Sequence, residues 1–228
     1  MNLPEPADYI DIHTHGETVP CQGIFSVVSL MAHERIRPEP VRGMAYTFGI
    51  HPWYLTDPVH DRQIEDVRKA AGNKLVIAIG EAGFDRIKGP DKELQRKTFE
   101  EQVVIAGDHG KPVVIHCVRA WEELFESHRR LKPAKPWLIH GFRGNKVLAA
   151  QLISRGMYLS FWFDFIVRAE SSELIRNIPK ERIFLETDGS GTDIRDIYEK
   201  VSADLDITVD ELKNIICRNF MDFFFKKT

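Results

Sequence analysis

The chain has 228 residues, 43% hydrophobic and 29% charged, with a net charge of -3. These values exclude a disordered or membrane-embedded chain. The 31 basic and 34 acidic residues are spread along the sequence, so no polybasic block marks a nucleic-acid footprint, and an anionic substrate must be attracted by something other than bulk charge.

Short β-branched runs alternate with amphipathic stretches in chain order. Strands are predicted to end near Ile12, Leu30, Gly49, Ile79, Ile115, Ile139, Ser160 and Glu186. Several are continuous apolar runs, the pattern of parallel strands buried on both faces. Helical patterns fall between most of them. "DRQIEDVRKAAG" aligns Ile64, Val67 and Ala71, and "DKELQRKTFEEQVVIAGDHG" aligns Leu94, Thr98, Gln102 and Ile105. "GNKVLAAQLISRG" starts at the cap Asn145. "DELKNIICRNFMDFFFKK" carries an apolar stripe of Leu212, Ile215, Ile216, Phe220 and Phe223. Eight strands separated by helices predict a TIM-type (β/α)8 barrel, with a doubly wound sheet as the alternative. The connection from Leu30 to Ala45 is too short and too rich in Pro and Arg for a full helix, so the second βα segment is shortened. No linker divides the chain, and residues 1–228 are expected to be one domain. Cys21, Cys117 and Cys217 read as free thiols of a reducing compartment. The start lacks a signal peptide and no apolar run is long enough to span a membrane, so a cytoplasmic protein is expected.

Asp11, His13 and His15 alternate at the end of the first strand, which places them on one face. His51 follows strand three, His116 ends strand five and His140 ends strand six. Five of nine histidines thus sit at strand C-terminal ends, where random scatter would put roughly one. Glu81 follows strand four and Asp188 follows strand eight. In a parallel barrel these ends meet at one rim. Imidazoles and carboxylates crowded without a cation would leave unpaired charge, whereas a metal centre accounts for them together. No thiolate is present, so Zn, Mn, Fe, Ni, Co or Mg fits the donors. Six ligands, His13, His15, Glu81, His116, His140 and Asp188, exceed one tetrahedral site. Two divalent cations with Glu81 as the bridging carboxylate use them economically, and such a pair holds a phosphoryl centre. His33, His60, His109 and His128 read as surface or helix-end residues, and Cys117 as packing.

The ordered motifs "DIHTH", "GIHP", "GEAGFD", "PVVIHC", "IHGFRG" and "ETD" resemble the TatD-type metal-dependent deoxyribonucleases of the amidohydrolase superfamily, nearly end to end. The resemblance implies that His13, His15, Glu81 and Asp188 hold one cation, and Glu81, His116 and His140 the second. It implies that Asp188 takes the proton of the attacking water and that His51 faces the scissile phosphate. The reaction implied is phosphodiester hydrolysis in DNA, from an end of a single strand. The sequence departs from the family pattern in three places. Only residues 16–50 separate His15 from His51, "GSGTDI" follows "ETD", and Arg143 replaces the usual Ser after "HGF". The abbreviated loop opening at Gly16 is expected to set what the enzyme accepts. Trp53 is a candidate for stacking a base, and Arg119 and Arg143 for clamping a phosphate. Asp85 orients the site or holds a loop, and Asp11 supports the ligands. Trp162 belongs to a bulky wall or core patch. The competing readings are an amidohydrolase acting on a small ester, lactone or cyclic amide, and a non-catalytic metal-binding protein.

Overall fold

The structure is a computed structural model that describes residues 3–16, 19–56 and 59–226; residues 17 and 18 of the loop after Gly16 lie outside it. Eight strands are present: β1 (Tyr9–Thr14), β2 (Ile24–Met31), β3 (Met44–Gly49), β4 (Val76–Asp85), β5 (Val113–Val118), β6 (Trp137–Ile139), β7 (Tyr158–Phe161) and β8 (Ile183–Leu185). They follow one another in one sheet in the order β1-β2-β3-β4-β5-β6-β7-β8. Helices alternate with strands from β3 onward, and the fold is of the (β/α)8 class. Among the described residues no helix stands between β1 and β2 or between β2 and β3, in line with the shortened second segment. No helix of the described residues is long and apolar enough to cross a membrane.

The chain packs as two compact units. The first comprises Met1–Val28, Val41–Ala45 and Ile139–Lys227. Here β1 pairs in parallel with β2, and β7 with β8. The backbone beyond β8 returns to β1, where the Asp188 N–H donates to the His13 carbonyl at 3.1 Å. Helix α4 (Lys146–Ile153) is capped by Asn145, as its sequence predicts. Short α5 (Phe163–Ile166) and α6 (Ala169–Arg176) precede β8, and α7 (Ile194–Asp204) and α8 (Val209–Phe225) follow it. The first turn of α8 is closed by a capping box of Thr208 and Glu211. Its stripe buries Leu212, Ile216, Phe220 and Phe223, with Phe220 on Phe25 and Phe223 on Phe184. Each such ring contributes about 2 kcal/mol through burial.

The second unit comprises Ser29–Pro40 and Tyr46–Leu138. It holds β4 and β5 in parallel, with α1 (His60–Ala71), α2 (Lys92–Asp108) and α3 (Trp121–Leu131). Asp91 caps α2 by accepting from the Glu93 and Leu94 N–H groups. Phe99 of α2 is fully buried between Phe84 and Trp137. Strand β4 runs six residues past its predicted end, because Gly80 and Gly83 are strand residues and not a turn. A Cβ on Gly83 would sit 1.9 Å from the His116 carbonyl oxygen, so only glycine permits this close approach of β5.

In the first unit, the Tyr198 hydroxyl accepts from the Ile10 N–H at 3.0 Å and donates to the Ile10 carbonyl at 3.1 Å, fully buried beside Asp11. Tyr198→Phe strands both backbone groups. It is expected to cost roughly 1–3 kcal/mol in urea unfolding; an unchanged midpoint would show that Ile10 finds other partners.

Candidate functional site

In the first unit β1 brings Asp11 and His13 into the interior and leaves His15 part-exposed at its end. The His13 and His15 Nε2 atoms face each other at 3.0 Å and lie 3.7 and 3.4 Å from Asp188 Oδ1. Donors bound at 2.0–2.2 Å to one tetrahedral or octahedral cation stand roughly 3.0–3.6 Å apart. The three atoms therefore fit a divalent cation without large movement. Asp188 adopts the left-handed conformation (φ 51°), held there by its hydrogen bond to His13. Gly189 is also left-handed (φ 67°), and a Cβ on it would lie 3.3 Å from His15 Cβ, so glycine suits the turn that presents the carboxylate. The His140 ring lies 4.3 Å from that of His13, and its Nδ1 is 3.5 Å from Glu186 Oε1. His140, Glu186 and Asp188 form a second possible ligand group in this unit.

Asp11 stands behind these ligands. Its two oxygens accept from the Thr187 N–H at 3.0 Å and the Thr187 hydroxyl at 2.6 Å. Burial pushes its carboxyl up to about 7, against the lowering effect of those bonds. Asp11 thus ties β1 to the turn that carries Asp188.

In the second unit Glu81 lies inside β4 and not after it, and His116 lies within β5 just before its end. Glu81 Oε1 is 3.1 Å from His51 Nε2 and 2.9 Å from His116 Nδ1, with all three residues buried. These spacings also fit ligands of one cation, yet hydrogen bonding gives the two rings different roles. His51 Nδ1 accepts from the Trp53 N–H at 3.0 Å, so the proton of a neutral ring sits on Nε2. His116 Nε2 faces Asp85 Oδ2 at 3.2 Å; with its proton there, Nδ1 is left as a ligand atom. Asp85 also accepts from the Trp53 indole at 2.6 Å and from the Ile87 and Lys88 N–H groups. Burial raises the Asp85 carboxyl, but these hydrogen bonds outweigh it and hold the group below its ordinary value. Asp85 therefore both orients His116 and holds the loop after β4. Two glutamines of α2 support the arrangement. Gln102 bonds both backbone groups of Ile50, beside His51, and Gln95 bonds those of Asp85.

Among the substrate-side candidates, Trp53 is part-exposed, with the Lys88 ammonium 3.7 Å over its ring. Arg143 is exposed and stacks on Trp162 at 4.1 Å. Arg119 is exposed in a left-handed backbone conformation. Trp162 introduces α5, whose Phe165 and Ile166 are core. Cys117 is half-buried, and burial pushes its thiol up. His60 is a helix-end residue as expected but not a surface one. It is 3% exposed, with Nδ1 at 2.9 Å from Asp61, because it stands on the buried face of α1 with Gln63, Ile64 and Val67. Glu186 is the acid the sequence reading missed. It is fully buried and accepts from the Ser160 hydroxyl. The signal was present, since Glu186 shares the strand parity of Asp188.

Asp85→Asn removes the carboxylate that fixes the His116 tautomer. The variant is expected to bind a divalent cation 10- to 100-fold more weakly, in the range of outer-sphere carboxylate losses. Calorimetric titration with Zn or Mn checks it; unaltered affinity would show that Asp85 holds only the loop.

A family model described as TatD related DNase matches residues 30–225, a span that includes His51, Glu81, His116, His140 and Asp188 and begins after His13 and His15. The metal-dependent hydrolase YcfH of Escherichia coli strain K12 is 26% identical over 200 residues, 79% of this chain and 74% of that one. The 3'-5' ssDNA/RNA exonuclease TatD of Erwinia tasmaniensis is 29% identical over 62% of this chain and 56% of its own length. The crystal structure of YJJV, a TatD homolog from Escherichia coli K12, superposes with a TM-score of 0.78 at 18% identity, covering 98% of this chain and 100% of that one. The chain belongs to the TatD-related DNase family of metal-dependent hydrolases.

Proposed function

We propose that the chain hydrolyses phosphodiester bonds in DNA, working from an end of a single strand, with two divalent cations of Mg, Mn or Zn. The observation that carries this reading is the pair of donor groups, His13, His15 and Asp188 in one unit and Glu81 and His116 in the other, each spaced as cation ligands are. His140 completes the proposed ligand set. When bound, the cations acidify water and neutralise phosphate charge.

The residues divide the remaining work. Asp188 is 22% exposed, the more accessible of the ligand carboxylates, and takes the proton of the attacking water. Glu81 serves as ligand, its Oε1 lying beside the His116 ligand nitrogen at 2.9 Å. The His51 Nε2–H faces Glu81 at 3.1 Å and turns from it to a phosphate oxygen once the Glu81 carboxylate is taken up as a ligand, since Nδ1 already accepts from Trp53. His116 keeps one nitrogen for the cation while Asp85 holds the other. Trp53, Arg119 and Arg143 contact the strand, Trp53 by stacking once Lys88 moves off its ring.

Chelation is expected to abolish hydrolysis of a single-stranded oligonucleotide, and Mg, Mn or Zn to restore it. Asp188→Asn is expected to lower kcat on the order of 10³-fold, the scale of a lost general base, and Glu81→Ala to abolish turnover. Product analysis by gel reads all three; full activity of Glu81→Ala, or of the chelated protein, sinks the reading.

A further inference from the structure

The second unit contains a cavity of about 560 Å³ between the segment after β2 and helix α1. Its lining includes Arg35, Arg37, Arg62 and Lys69, with Asp66 as the one acid. Lys69 pairs with Glu65 at 3.5 Å, and Glu34 turns its carboxylate to the Met31 N–H. None of Arg35, Arg37 and Arg62 joins an ion pair among the described residues. Three guanidiniums on one cavity without partners repel one another, and an anion relieves that cost. Ile36, 52% exposed between two of them, adds an apolar surface where bases, not only phosphates, find contact.

The cavity is also linked to the site. His33, two residues before Arg35, stacks on Tyr54 at 3.8 Å, and the Tyr54 ring lies 5.8 Å from that of His51. A chain of aromatic faces thus runs from the proposed phosphate donor toward the arginines. Separated anions on a continuous backbone, with bases to stack between them, match both features.

We propose that Arg35, Arg37 and Arg62 form a backbone-binding groove for the single-stranded nucleic acid substrate, engaging phosphates away from the bond being cut while His33 and Tyr54 stack the intervening bases. The proposal rests on the phosphodiesterase reading above and adds to it the path of the strand. It predicts that short strands miss the groove and long strands gain from it.

The test measures binding of a fluorescent 15-nucleotide phosphorothioate strand, which resists cleavage, to the metal-loaded protein by anisotropy between 50 and 200 mM salt. Each phosphate contact on a single strand adds about 0.7 to the slope of log affinity against log salt. Losing three such contacts in Arg35→Ala/Arg37→Ala/Arg62→Ala is expected to flatten the slope by about 2, so the wild type loses roughly 20-fold more affinity than the variant across that range. The matching Lys substitutions keep the charge and are expected to restore most of the slope. All three side chains are exposed, and a thermal melt verifies that the variants fold. Equal slopes for wild type and the Ala variant overturn the groove, as does a Lys variant as flat as the Ala one. Equal slopes with strand hydrolysis intact leave the phosphodiesterase reading standing, whereas a slope difference without hydrolysis of any strand sinks that reading and leaves the groove.

Discussion

A buried carboxylate must be met by N–H donors or by a cation, and a neutral imidazole has one donor nitrogen and one acceptor nitrogen to offer. Much of the local structure around these strand ends follows from satisfying both demands. Asp85 is the point of convergence: an indole, two backbone N–H groups and an imidazole all meet its two oxygens. Trp53 acts at both ends of the same problem. Its backbone N–H sets the proton position on His51, and its indole N–H fixes the acid that sets the proton position on His116. One residue after the "HP" pair thereby gives two neighbouring histidines opposite assignments, one a donor and one a ligand. Substituting another aromatic residue at position 53 would keep the backbone bond and lose the indole one, which separates the two effects.

The loops that hold these groups are fixed from outside by helix α2. Gln102 satisfies both backbone groups of Ile50, and Gln95 does so for Asp85. A primary amide is suited to this, since it offers donor and acceptor in one plane and copies the pairing of a missing strand. The first unit uses a different device for the same purpose. There Asp11 and Tyr198 clamp the end of β8 and the body of β1, and the left-handed backbone at Asp188 is held by that frame. In each case the ligand side chain is aimed by polar groups that are themselves buried, so its direction is determined before any cation arrives.

Most strands were legible as short apolar runs, the mark of strands buried on both faces, and β1 by its alternation. The histidines were legible as a group because alternation and strand-end position are properties of the sequence alone. Strand length was not. The fourth strand was expected to end near Ile79, yet it continues through Gly80 and Gly83, where β5 passes too close for a Cβ; this carries Glu81 into the strand and adds Asp85 at its end. The patterns named in the sequence do not include α3, α5, α6 or α7; α3 follows Ala120, which offers no side-chain cap. Glu186 stands two residues before Asp188 in "ETD", so strand parity marks both acids for the same side. His60 was legible as core by helical spacing, since it precedes Ile64 by four and Val67 by seven residues on the buried face of α1.

An even spread of charge along the sequence does not fix where charges meet on the folded surface. Arg35 and Arg37 come from the connection after β2, and Arg62 comes from α1, so no window of sequence shows them together. They meet because that connection is too short to form a helix. A helix in this place would lay an apolar face over β2 and β3; instead the Ala32 N–H, just past β2, donates to the Gly49 carbonyl at the end of β3, and Phe48 lines the cavity. Loss of the covering helix exposes a groove, and a groove of apolar floor and arginine walls is soluble without a cover, whereas a purely apolar one would invite aggregation. The same shortening that removes wall from the barrel therefore provides a surface with the opposite charge to the proposed substrate.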